Sequence, residues 1–517
     1  MSKALIDKAL LGIILLAIFV VPSSISGTAL ALPAIGSDLR APLTSLQWVV
    51  NAFNLAFACF TLTWGALADR LGRRRCFVSG VGLYVLASLL SALAPAAWIL
   101  DLARALAGVG AAAIFSCGIA ILSTYFEGAA RLRAFALFGT VAGLGVSLGP
   151  TLSGVLLDSI GWRAIFAAHT VTLVLVLLGS ALIPRDVARP GAQRFDVPGA
   201  ALFILALLAL MTAIVQGSQW GWQSQGLGLL VLASAVLLGV FAWQERRHAQ
   251  PMLDLSLLAN APFVGLALVT VAASFGFVTL LTYLPSYLSG VLRLAPTHAG
   301  LAMLLLTAPM LVCPILAGKW VGRGVSAVGI LKASLLALLA GLVSLALLSQ
   351  PGALLWQLAA PLLLVGIGMG LSAGLVDGLA LKTVPEPQAG MAAGLLNTFR
   401  LGSEAVAVAL YGSLLATFLG QQLGPRIAPA LDGPGSLRQW LDATAAGNLD
   451  GPAQASADLL QALQPLLLAG YDQAFHGVLW VLAGIVLVLS LVIAWLVRPL
   501  RAQERQAAPA RAASQAA

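Results

Sequence analysis

Five charged side chains lie inside long apolar runs of this 517-residue chain, and their spacing limits what they can do. Asp101 and Arg104 are three residues apart, so on a helix they share a face and the aspartate can neutralise the arginine. Arg400 and Glu404 are one turn apart and can pair in the same way, while Asp377 stands near the end of another run, within reach of Lys382. A carboxyl group held in low dielectric can load and release a proton as its surroundings change, and an arginine there needs a partner or a watery cavity. Glu404, Asp377, Arg104 and Asp101 are therefore the candidates for proton coupling, with fixed ion pairing as the competing role. Uncharged polar residues in other runs could line a cavity: Ser24 and Thr28, Asn51 and Asn54, and Asn397 beside Arg400. Asn51 and Asn54 share a helical face, which also suits ordinary hydrogen bonding between helices.

The elements that hold these residues follow from composition. Hydrophobic residues make up 60% of the chain and charged residues 9%, against about 25% charged in soluble domains, so a soluble fold could not hide the apolar surface. Apolar runs near 10–33, 45–66, 76–95, 98–123, 133–157, 162–183, 197–216, 226–244, 262–288, 299–318, 328–349, 354–379, 391–419 and 473–497 are each long enough to cross a bilayer. An even number of spans places both termini on one side. The loops on that side carry about 21 Lys and Arg and those on the other about 5, which makes it the cytoplasm. The net charge of +9 thus reflects topology, and nucleic acid is not expected as a partner. Lys3, Lys8 and Ala29-Leu30-Ala31 imitate a signal peptide, but the length of the run and the spans after it favour a retained first helix.

Other chemistries find little support. The four cysteines form no C-x-x-C pair, and His169, His248, His298 and His476 near span ends have no metal-binding spacing. Gly366-x-Gly368-x-Gly370 lies in a continuous apolar helix with no strand before it, and Gly318-Lys319 lacks the upstream spacing of a phosphate loop. No cofactor is expected, and an ion gradient remains as the energy source.

The densest charge cluster is Gly65-Ala66-Leu67-Ala68-Asp69-Arg70-Leu71-Gly72-Arg73-Arg74-Arg75 between the second and third spans. It resembles, nearly letter for letter, the loop at this place in major facilitator transporters. A partial echo, Gly318 to Arg323, carries Gly322 where the first copy has Asp69. In span five, Gly145-x-x-x-Gly149-Pro150-x-x-Ser153-Gly154 resembles that superfamily's antiporter signature, with Ser153 in place of a glycine; close helix packing explains the glycines equally well. The stretch from Arg104 to Gly108 resembles the family's fourth-helix motif implicated in proton transfer, with Ala107 where a polar residue is usual. Phe195-Asp196-x-x-Gly199, Gly217-x-x-Trp220-Gly221-Trp222, Pro251-Met252-Leu253-Asp254 and Asn397-x-x-Arg400 also match in order. The whole chain is similar to the fourteen-helix drug:proton antiporters of the EmrB/QacA type. It departs from them in span one, where Ser24 stands in place of an acid and Ala29 in place of an asparagine.

This resemblance implies an all-α major facilitator fold: a six-helix bundle over 1–184, an inserted helix pair over 185–260, a second six-helix bundle over 261–500 with an extracytoplasmic loop at 421–472, and a disordered tail over 501–517. It implies a multi-pass protein of the bacterial inner membrane, a monomer that exchanges protons for hydrophobic small molecules such as drugs or antibiotics by alternating access. A periplasmic adaptor and an outer-membrane channel are candidate partners. The missing acid at Ser24 weighs against cationic substrates and towards neutral or anionic ones. In this family Gly65, Asp69, Arg70, Gly72, Arg73 and Arg74 form a gating hinge, with Asp69 near the start of span thirteen around residues 389–392, where the positive end of the helix would hold it. The competing functions are a dedicated exporter of one endogenous metabolite or lipid, and a non-transporting sensor or scaffold.

Overall fold

The computed structural model describes residues 3–41, 43–126, 128–184, 196–221, 224–247, 255–373, 375–384, 389–431, 434–451 and 457–500. At some helical positions, Asp69 and Arg70 among them, only the backbone is described. Most of the linker after residue 184 and the tail 501–517 lie outside the described residues.

Backbone polar groups find no water in a bilayer, so an apolar chain must satisfy them within each segment, which a helix does. The order is α1 (Lys3–Leu39), α2 (Leu43–Leu71), α3 (Arg73–Ala92), α4 (Ala97–Tyr125), α5 (Gly128–Ser159), α6 (Arg163–Gly179), α7 (Val197–Trp220) and α8 (Gln225–Arg247). Then come α9 (Ala261–Ala273), a π-helical turn (Ser274–Val278), α10 (Thr279–Gly290), α11 (Pro296–Thr307), α12 (Pro309–Gly322), α13 (Ala327–Leu348), α14 (Leu355–Ser372) and α15 (Leu375–Lys382). The chain closes with α16 (Ala389–Gln422), the short α17 (Gly424–Ile427), α18 (Pro434–Ala445) and α19 (Ala457–Leu496). Among the described residues thirteen segments are long and apolar enough to span a membrane, and in α2, at 29 residues, the apolar core Trp48–Thr61 is shorter. Three spans are composite. Pro309 has no N–H to give, which separates α11 from α12, the π turn joins α9 to α10, and a break after Ser372 separates α14 from α15.

Two six-helix bundles result. In the first, Ile14 and Ile18 of α1, Phe53 and Phe57 of α2, Phe77 and Tyr84 of α3 and Ile114 of α4 share one buried core. Glycines let its helices approach closely: a Cβ on Gly110 would lie 2.7 Å from the Gly80 carbonyl, and one on Gly145 2.6 Å from that of Phe19. The second bundle uses the same device, with Gly368 of α14 against the Ser334 carbonyl of α13 at 2.8 Å. The inserted pair packs on itself through Phe203 and Phe241, ring centroids 5.5 Å apart. Met211 of α7 also meets Leu55 and Cys59 of α2 and Ala409 of α16, so α7 covers the line where the bundles meet. Helix α8 turns most of its surface outward, with Leu229, Leu232 and Val236 exposed, as lipid contact requires.

The bundles close on each other at the end opposite the termini. Along α5 and α11, Ser147 Oγ donates to the Thr307 carbonyl at 2.9 Å, Thr151 Oγ1 to that of Gly300 at 3.1 Å, and Thr297 N to Asp158 Oδ2 at 3.0 Å. Beside them Leu30, Leu32 and Ile35 of α1 are buried against Leu280, Leu284 and Leu288 of α10, with Trp440 of α18 and Leu449 added on top.

The stretch expected to be a loop at 421–472 is largely helical. Residues 434–445 form α18, and α19 begins at Ala457 and runs on into the last span through Pro465. Leu463 and Leu467 join the core while Asp458 and Gln461 face outward, so the polar letters mask a helix anchored on one side.

Gly145→Val would push methyl groups into the Phe19 carbonyl and cost about 1–3 kcal/mol. Thermal unfolding of the detergent-solubilised protein should show a lower midpoint, whereas Gly139→Ala, whose Cβ meets nothing within 4 Å, should not change it.

Candidate functional site

Arg104 is almost fully buried in α4. Its Nε donates to the Val49 carbonyl at 2.9 Å and Nη1 to Ser24 Oγ at 2.9 Å, and the guanidinium lies 4.3 Å above the Phe53 ring. The contacts are a carbonyl, a hydroxyl and an aromatic face, each able to satisfy a cation without carrying a full charge. Sequence reasoning offered Asp101 as the neutralising partner; these contacts place Ser24, on α1, in the guanidinium's reach instead. Ser24 is the position where the resemblance expects an acid, so the substitution falls directly on this arginine. Nearby on the same helices, Thr28, Asn51 and Asn54 are buried, and Thr28 Oγ1, both Asn51 side-chain polar atoms and Asn54 Nδ2 have no hydrogen-bond partner among the described residues. By contrast Ser23 and Ser26 donate back to their own helix, to the Val20 and Pro22 carbonyls.

The second group lies on α15 and α16. Arg400 Nη2 meets Asp377 Oδ1 at 2.7 Å, and Nη1 donates to Asn397 Oδ1 at 3.0 Å. The alternatives of Glu404 for Arg400 and Lys382 for Asp377 give way to this cross-helix pair, because the break after Ser372 turns Asp377 towards α16. Among the described residues, Glu404 keeps no hydrogen-bond or ion-pair partner. Its neighbour Ser403 donates to the Arg400 carbonyl at 2.8 Å and shares a 2.9 Å contact with Ser274, the first residue of the π turn. That turn widens the helix where α9–α10 passes this stretch of α16, and single π turns inside helices frequently mark functional sites. Neither the turn nor the Asp377 pairing had a signal in the sequence.

These features sit on the fold of a known family. The chain matches the family model of the Major Facilitator Superfamily over residues 14–408. It belongs to that superfamily. It is 34% identical over 409 residues to the multidrug resistance protein Stp of Mycobacterium tuberculosis, covering 78% of this chain and 75% of that protein. It is also 34% identical over 397 residues to the puromycin resistance protein pur8 of Streptomyces alboniger, covering 74% and 77%. Among solved structures, a bacterial homologue of the lysosomal transporter Spinster, in an inward-facing and unoccupied conformation, shares the fold at a TM-score of 0.62 and 15% identity, covering 96% of this chain and 99% of that one. The chain is a transporter rather than an enzyme, and among the described residues no three His, Cys, Asp or Glu side chains converge as a metal site.

Where the sequence places the stretch from Gly65 to Arg75, two helices meet end to end. Gly72 alone separates α2 from α3, with φ at 100°, a conformation that favours glycine. Arg73 then reaches back to donate to the Ala120 carbonyl of α4 at 2.8 Å, and Arg74 is half-buried. Gly65 has open space around it, and the side chains of Asp69 and Arg70 lie outside what is described. On α5 the signature glycines divide their work. Gly145 and Gly149 face α1, whereas Gly154 faces the Pro296 carbonyl of α11 at 2.8 Å and Pro150 packs its carbonyl 2.7 Å from a Cβ on Gly300.

Ser24→Asp would set a carboxylate beside Arg104 and turn a neutral contact into an ion pair. A thermal-unfolding double-mutant cycle with Arg104→Met should give a favourable coupling of about 1–3 kcal/mol; zero coupling would place the carboxylate elsewhere.

Proposed function

We propose that this protein exports hydrophobic small molecules of the drug or antibiotic kind from the cytoplasm, in exchange for protons, with both termini cytoplasmic. The observation that carries the coupling is Glu404. It sits in mid-span, with Arg400 already held by Asp377, so its proton is not fixed by a permanent partner. Such an acid can be charged when water reaches it from one side and neutral when it does not. The names of the relatives, multidrug resistance for one and puromycin resistance for the other, support the substrate class.

The cycle follows from the two bundles. With the end opposite the termini closed along α5–α11 and α1–α10, the substrate path faces the cytoplasm. Loss of the Glu404 proton there and its reloading from outside would bias the bundles between their two arrangements. Asp69, at the end of α2, acts as a latch on the first turn of α16, whose backbone begins at Ala389. The basic residues of Gly65–Arg75 keep this gate on the cytoplasmic face.

Puromycin-induced proton release in inverted vesicles tests this reading. Glu404→Gln should fall to less than about a tenth of the wild-type signal, while Asp377→Asn should retain part of it, since general acid–base groups contribute factors of this size or more. Normal release by Glu404→Gln would remove Glu404 from the coupling role. Asp69→Asn should abolish puromycin efflux from cells while leaving the amount of inserted protein unchanged.

A further inference from the structure

Four of the chain's six tyrosines gather in the second bundle, at the end away from the termini, around a histidine and an aspartate that play no part in the site above. Asp472 of α19 is mostly buried, and its Oδ1 accepts from the Tyr287 hydroxyl of α10 at 2.8 Å. One turn along α19, His476 Nε2 lies 3.8 Å from that same oxygen. The imidazole is the wetter member, with 28% of its side chain exposed.

The decisive feature is what Ser349, at the end of α13, presents to His476. Nε2 lies 2.7 Å from the Ser349 carbonyl and 2.8 Å from its hydroxyl. A carbonyl oxygen only accepts, so the tautomer with hydrogen on Nε2 is satisfied by it. The tautomer with a bare Nε2 can accept from the hydroxyl, which otherwise donates to the Leu345 carbonyl at 2.7 Å. Both neutral forms of the ring therefore have a partner at one place. A histidine that only braced a helix would need one.

Beyond Asp472 the polar groups continue inward. Tyr283, one turn before Tyr287, donates to the Val408 carbonyl at 3.1 Å and stacks on Tyr411 with centroids 4.2 Å apart. Val408 is one turn, about 6 Å of rise, beyond Glu404 on α16. The hydroxyls of Tyr411 and Tyr471 are fully buried with no partner among the described residues, an expensive arrangement that a purely structural cluster would avoid. The groups on Asp472 are Tyr287 from α10 and His476 of its own helix; behind them stand Ser349 of α13, bonded to His476, and Tyr471, packed on Tyr287, with Tyr283 and Tyr411 beyond and Arg426 at the rim on Gln473.

We infer that Asp472 is a second protonation site, loaded from the side opposite the termini through His476, and that it passes protons towards Glu404. The step balances within the chain. A proton from water binds His476 Nδ1, the Nε2 proton moves to Asp472 Oδ1, and the ring is left neutral with its bare Nε2 accepting from Ser349 Oγ. The starting tautomer returns when the bare Nε2 takes a proton from water and Nδ1 gives its own back to water. Only the onward path to Glu404 rests on the antiport reading; protonation of Asp472 needs no substrate.

The test is pH-difference infrared spectroscopy of the full chain in proteoliposomes, without substrate. The carbonyl band of a protonated carboxylic acid should rise as the outer pH falls. The component due to Asp472 should be lost in Asp472→Asn, move in frequency in Asp472→Glu, and remain in Glu404→Gln, which removes only the component due to Glu404. After an outer pH jump, His476→Gln should develop the band at least about tenfold more slowly. A difference spectrum unchanged by Asp472→Asn, or wild-type kinetics in His476→Gln, would overturn the inference. Wild-type protein that shows the band but releases no protons with puromycin would overturn the antiport reading instead.

Discussion

The backbones of α5 and α11 touch, and the structure is organised around that contact. Lipid tails give two apolar helices no hydrophobic reason to associate, so close van der Waals packing and interhelical hydrogen bonds must hold the bundles together. Gly154 and Gly300 allow it by leaving room for the carbonyls of Pro296 and Pro150, and Ser147, Thr151 and Thr297 add hydrogen bonds along the same line. The Ser147 and Thr151 bonds are modest, because a hydroxyl that lets go can return to its own helix. A seam built this way is tight when closed and inexpensive to open, as alternating access requires.

Inside the bundles, three charges meet the same low dielectric with three solutions. Arg104 is buried among a hydroxyl, a carbonyl and an aromatic face. Arg400 has a carboxylate and an amide, and because Asp377 is close to half exposed, that pair sits where water reaches. Glu404 has neither. In the proposed cycle it is Glu404, the one of the three without such contacts among the described residues, that is neutralised.

Much of this was legible in the residues. The spans, the charge asymmetry of their loops and the small-residue face of α5 follow from composition and the helical repeat, which depend only on neighbours in the chain. Partners across helices were not. A one-turn spacing suggested Arg400 with Glu404, but the break after Ser372 brings Asp377 in from another helix. Asp101 beside Arg104 is the same local inference, and the contact that matters comes from Ser24, eighty positions away. The stretch before the last span read as loop because its polar residues interrupt the hydropathy, although Leu463 and Leu467 bury one face of a continuous helix. Asp472 was not singled out for that reason, and His476 was read only as a histidine near a span end without metal-binding spacing; Tyr287 and Ser349, from distant helices, make the two a cluster.

The central claim is that the α5–α11 seam opens and closes with the proton on Glu404. It is tested most directly by double electron–electron resonance between spin labels at Leu152 and Leu301, two lipid-facing positions on either side of the seam. The account predicts a short distance and a longer one whose proportions shift with pH, with the shift lost in Glu404→Gln. A single distance that ignores pH, or a shift that survives in Glu404→Gln, would contradict it.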